Sequence, residues 1–251
     1  MFAILQTSLD QPITREVLES AIMATRQLVK PDCARLQRES FGILVGSLSQ
    51  EDALALQAAL RARGVETETV DESDLPALPT PYRPQSFTTA PEGVTVADYT
   101  GQTTLLPISM FVFAAAGHLK HVVSLPQRNM EWVQKPVGNY GIQNAVEMVT
   151  ERQPKEVQEF RIKLYFTQEP FRFQFVLDDK AIVRANGQIL KLRDKNQLDS
   201  LLVTFANTFP PDQTNLGIQK ITTGQGFNYP SVHAFEQEII WSLCRLARKP
   251  T

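Results

Sequence analysis

Any chemistry in this chain would have to rest on three histidines and a scattered set of basic side chains. His118 and His121, in His118-Leu119-Lys120-His121, are three apart. That spacing brings two imidazoles together on a helix and sends them to opposite faces of a strand. No carboxylate or third histidine lies nearby in sequence to complete the protein ligands of a zinc site, so neither a metal nor another cofactor is expected. His233 falls in the first turn of a helix, where the positive helix end disfavours a charged ring. Arg161, Lys163, Arg172, Arg184, Lys191 and Arg193 recur on the polar side of paired strands. If they converged they would hold an anionic small ligand or an acidic protein surface; dispersed, they are a solvated sheet face. Trp132 and Tyr140 sit between Pro126 and Glu159, where periodicity fails, and are read as belonging to a loop that either binds a partner or plugs the fold. Gly46-Ser47-Leu48-Ser49 lacks the second glycine of a nucleophile elbow, and Gly224-Gln225-Gly226 lacks the lysine of a phosphate loop. No catalytic residue is nominated, which weakens an enzymatic reading without removing it.

The elements that must position these residues are clearest between Phe160 and Leu192. Phe160, Ile162, Leu164 and Phe166 alternate with Arg161, Lys163 and Tyr165, and after Gln168-Glu169-Pro170 the alternation resumes at Phe171, Phe173, Phe175 and Leu177. Period-two alternation on both sides of a short polar break predicts a β-hairpin with one aromatic face. A second hairpin is predicted around Asn186-Gly187, a pair suited to the positive φ angles of a type I′ turn. Leu198, Leu201, Leu202 and Phe205 then share one helical face, the expected cover for the aromatic sheet. A last helix capped by Ser231 carries Phe235, Ile239, Leu243 and Leu246, which either complete that core or dock two domains together.

Nearer the start, residues 2–11 and 41–50 match at six of ten positions (Phe, Ile, Leu, Ser, Leu and Gln), each copy running from an apolar strand into a polar turn and a helix. The helices are read at 14–28 and from the Ser49 cap to Gly64, each followed by a strand, at Cys33–Gln37 and Val65–Val70. The pattern β-α-β twice over resembles small bacterial regulatory modules of ferredoxin-like fold, which implies a βαββαβ domain at 1–74. Pro76, Pro79, Pro81, Pro84 and Pro91 mark 75–91 as a stiff linker. Hairpin strands at Val94–Tyr99 and Thr103–Leu106 open the second domain, 92–251, with one short helix at Ala145–Val149. Antiparallel strands forming a barrel or curved sheet closed by a helix resemble a pleckstrin-homology-like domain. The expected class is therefore α+β, in two domains.

Composition narrows the function further. Of 251 residues, 43% are hydrophobic and 21% charged, the profile of a folded soluble protein. Residues 1–74 hold 7 basic and 12 acidic side chains and 75–251 hold 18 and 15, so neither part demands nucleic acid. Two lone cysteines, no basic leader and no apolar run of ~20 residues suggest a cytoplasmic protein without a membrane span. The expected role is non-enzymatic, regulatory or scaffolding, with a protein partner or self-association. The alternative is a small-molecule-binding protein or enzyme, with a pocket between the domains lined by Trp132, Tyr140, His118–His121 and Arg172.

Overall fold

Ala3, Ile4 and Leu5 are all shielded from water, although consecutive strand residues point to opposite sides. The first strand is therefore covered on both faces, and that requirement shapes everything around it. The computed structural model describes all residues except 11–12, 138–140, 170, 179–181 and 249–251, with the side chains of 121, 125, 127–129, 131–147, 149 and 151 also left out. There are two compact units, one formed by Met1–Leu119 with Gln158–Thr251 and the other by Lys120–Val157. The class is mixed α+β, with three sheets among the described residues.

The chain begins with β1 (Phe2–Gln6), α1 (Arg15–Ala21), α2 (Asp32–Glu39), β2 (Ile43–Leu48), α3 (Gln50–Arg61) and β3 (Thr67–Asp71). The strands form a sheet in the order β2-β1-β3, with β1 antiparallel to both neighbours. Ile4, Leu44 and Leu48 pack on Leu18 and Ala21 of α1, Cys33 and Leu36 of α2, and Leu56 and Leu60 of α3. Ser49 caps α3 as expected, its Oγ accepting from the Asp52 amide at 3.1 Å. The segment Cys33–Gln37, expected as a fourth strand, is instead helix α2. Cys33 and Leu36 are one turn apart and enter the same core, and Pro31 stands where a helix start tolerates proline.

After β3 come β4 (Ser86–Ala90), β5 (Gly93–Ala97), β6 (Thr103–Pro107), β7 (Phe111–Val137), β8 (Gly141–Phe166), β9 (Arg172–Leu177), β10 (Val183–Ala185) and β11 (Gln188–Leu190). Helices α4 (Lys195–Thr208) and α5 (Leu216–Thr222), strand β12 (Asn228–Tyr229) and helix α6 (Val232–Arg248) close the chain. One sheet runs β11-β10-β4-β5-β6 and the other β12-β7-β8-β9. The pairs β10–β4 and β12–β7 are parallel, so the later part is not purely antiparallel. Both expected hairpins form: Phe160 faces Leu177 and Tyr165 faces Arg172, while Asn186 and Gly187 take φ of 49° and 75° between Ala185 and Gln188. Phe87, Val94 and Val96 of one sheet meet Phe160, Phe173 and Phe175 of the other, and Leu198, Leu202 and Phe205 of α4 seal that core.

The proline-rich stretch is not a free tether. Tyr82 donates its amide to the Arg172 carbonyl at 2.7 Å and accepts from the Gln174 amide at 2.9 Å, so the stretch is pinned to β9 at Tyr82 before it runs into β4. Its prolines suit an edge position, where a missing amide costs no ladder bond. The described part of the region expected as a loop with a short helix belongs to β7 and β8. Pro126, Pro136 and Pro154 interrupt the alternation there.

Helix α6 supplies the second cover that β1 demands. Ile240, Trp241 and Cys244 lie on Ala3, Leu5, Ile43 and Val70, while Phe235 and Ile239 lie on Phe113, Ala115, Leu119 and Tyr165 of β7 and β8. Trp241 Nε1 donates to the Gln6 carbonyl at 2.7 Å. The core role of the aromatic hairpin is directly testable. Phe173 is 1% exposed and touches Tyr82 and Phe166 edge-on, so Phe173→Ala should lower stability by about 3–5 kcal/mol in urea titration.

Candidate functional site

The basic residues on the polar side of the hairpin are not solvated, because α6 lies over them. Lys163 is completely buried and its Nζ donates to Glu236 Oε1 at 2.6 Å. Arg172 reaches the same oxygen at 3.3 Å and donates through Nη1 to the Pro79 carbonyl at 2.9 Å. Lys163 stands 5.3 Å over the Phe235 ring, and Arg172 stands 5.9 Å over Tyr165. Arg161 pairs instead with Glu159, and Arg184, Lys191 and Arg193 are exposed elsewhere. The six cations thus do not converge as a set. Two of them meet, and the carboxylate they meet is the chain's own. Burial pushes the Lys163 ammonium down to about 8, against the opposing pull of Glu236. Burial alone would raise the Glu236 carboxyl, but the hydrogen bond and charge of Lys163, with the charge of Arg172, hold it below its ordinary value.

A second polar group, invisible to residue spacing, surrounds Tyr229. Its hydroxyl donates to Glu238 Oε2 and accepts from Asn215 Nδ2 at 2.6 Å and from the Gly217 amide at 3.1 Å. Glu238 Oε1 accepts from the Leu216 amide, and Asn215 bonds both the amide and the carbonyl of Ala116. A Cβ on Gly117 would stand 2.5 Å from the Tyr229 ring, so glycine there is what admits the tyrosine. Burial pushes the Glu238 carboxyl up to about 7 and the Tyr229 phenol well above its ordinary value. Glu238 also borders a cleft of about 290 Å³ walled by Thr7, Asp10, Trp241 and Arg245. Both its oxygens are already engaged, so it fixes α5, β12 and α6 to one another rather than presenting a reactive group.

His118 lines a cavity, as His233 does another. His118 lies on β7 beside Asn228 of β12, its ring edge-on to Phe160 at 4.8 Å. The cleft, about 320 Å³, is also walled by Gln158, Lys195, Asp199 and the turn from Gly224 to Phe227. His118 Nε2 and Asp199 Oδ1 are buried and have no hydrogen-bond partner. Burial lowers the His118 pKa, with Lys195 acting in the same direction and Asp199 against it. His121 and Trp132 belong to strand β7, their side chains outside the described residues, and Tyr140 lies outside them altogether. His233 approaches Gln237 at 3.1 Å on α6. Among the described residues no three His, Cys, Asp or Glu side chains are grouped to hold a metal ion, and no helix is long and apolar enough to cross a membrane.

Comparison with family models, with curated proteins and with solved structures returns no match. The fold and the cavities therefore carry the functional argument alone.

Two measurements test the polar interior. Because the folded pKa of Glu238 is raised from 4.5 to about 7, its contribution to stability is fully present below pH 4.5 and is lost as pH rises to about 7. Melting curves between pH 4.5 and 7.5 should show that decline in the native protein and a flatter profile in Glu238→Gln. At the other cluster, Glu236→Ala strands Lys163 and Arg172 and should cost about 1–3 kcal/mol. Lys163→Met leaves Glu236 paired with Arg172 and should cost less, an ordering that urea titration of the two variants resolves.

Proposed function

We propose that the chain is a non-enzymatic regulatory or scaffolding protein of the cytoplasm that binds a protein partner through Lys120–Val157. The observation that carries this reading is the length of β7 and β8, 27 and 26 residues, against an ordinary strand of about 5–6. Among the described residues, the four apolar clusters belong to the first unit. In the second, Val122, Met130 and Met148 are 67%, 75% and 60% exposed. A ribbon of two strands is marginally stable in water by itself. The edge of a two-stranded ribbon can accept an added strand through its backbone amides and carbonyls. The buried thiols Cys33 and Cys244 suit a reducing compartment. The split β-α-β connectivity of the first sheet and the helix-covered later sheets keep features of the ferredoxin-like and pleckstrin-homology-like architectures. Both commonly serve as interaction modules, a supporting analogy.

The test is a shortened chain in which a two-residue turn replaces Lys120–Val157. Its melting temperature should stay within a few degrees of the parent, since none of the described cluster members is removed. The parent, purified gently from its native cells, should carry a protein partner in fixed stoichiometry, and the shortened chain should not. A partner retained by the shortened chain, or a parent that carries none, overturns the proposal.

A further inference from the structure

The cleft around His118 combines three features that the fold does not need. His118 and Asp199 both line it, and His118 Nε2 and Asp199 Oδ1 are buried without hydrogen-bond partners. A buried polar atom left unpaired costs free energy, so two such atoms on residues of one cavity wall are unusual in a part of the fold that serves packing alone. Lys195 and Asp199 stand one turn apart on α4, yet neither takes part in an ion pair. One unpaired cation and one unpaired anion therefore face the same space, which has room for a small metabolite at about 320 Å³. The rest of the lining is mixed, with Leu192, Ile221 and Phe227 forming an apolar part beside Gln158, Gln225 and Asn228.

We infer that this cleft binds a small zwitterion of the free α-amino acid class. The ligand's ammonium pairs with the Asp199 carboxylate, beside His118. Its carboxylate pairs with Lys195, and its side chain lies on the Leu192, Ile221 and Phe227 surface. Burial disfavours the charged imidazole, so His118 competes less with the ligand's ammonium for Asp199. The net charge of the cleft, one Lys and one Asp, matches a ligand whose own charges sum to zero. A simple anion or a simple cation would leave one of the two side chains opposed by nothing. This site is separate from the partner-binding reading of Lys120–Val157 and stands or falls without it.

Isothermal titration of the intact chain with the free amino acids valine, leucine, isoleucine, methionine and phenylalanine tests the assignment. The N-acetyl and carboxamide derivatives of each are the controls. At least one free amino acid should bind, and both of its derivatives should bind at least about tenfold more weakly, since each removes one of the two charges. Asp199→Asn and Lys195→Gln should each weaken binding by about tenfold or more. Lys195 is exposed, so that variant keeps the fold even if the other does not. No binding by any of the five, derivatives that bind as well as the free form, or binding unchanged by Lys195→Gln would each overturn the inference.

Discussion

One helix holds the first unit together. Helix α6 is buried on two sides, with Ile240, Trp241 and Cys244 against the N-terminal sheet and Phe235 and Ile239 against β7 and β8. Each sheet already has helices or a second sheet on its other face, so α6 is the layer they share. Apolar burial on both sides explains why strand β1 can afford three consecutive shielded residues. It also explains why the hairpin's cations are interior rather than wet. A helix with two apolar stripes leaves little room for charge, and the one glutamate facing β8 and β9 is used to neutralise Lys163 and Arg172.

The polar interior has a different logic from the aromatic one. Aromatic and aliphatic side chains between the two later sheets need only fill volume, and several of their pairs could be exchanged at modest cost. Tyr229, Asn215 and Glu238 must be satisfied together or not at all, because each buried donor or acceptor left over is costly. Gly117 is fixed by the same requirement, since the ring of Tyr229 occupies the place of a side chain. The result is a network that specifies how α5, β12 and α6 meet, independent of how much area they bury.

Legibility in the sequence followed the range of the interaction. The hairpin from Phe160 to Leu177, the Asn186-Gly187 turn, the Ser49 cap and the Leu198–Phe205 stripe are local signals, and each appears where residue type and spacing put it. Cys33–Gln37 misled because five residues are too few to separate a strand from one and a half turns of helix. Pro126, Pro136 and Pro154 hid two long strands by interrupting the alternation that would have marked them. The polar face of the hairpin was misread because its cover, α6, arrives some sixty residues later. Of the residues selected for chemistry, His118 lines a cavity, while Lys163 and Arg172 serve the interior. Asp199 and Glu238 carried no spacing signal, and only the folded chain brings them to His118 and Tyr229.

The bond between Trp241 and the Gln6 carbonyl spans 235 positions. During synthesis the first sheet would leave the ribosome with one greasy side and wait well over a hundred residues more before its cover exists. Contacts of such sequence separation make closure slow and keep an adhesive surface open in the meantime. The final turns of the last helix therefore govern whether the earliest strands end up buried or aggregated.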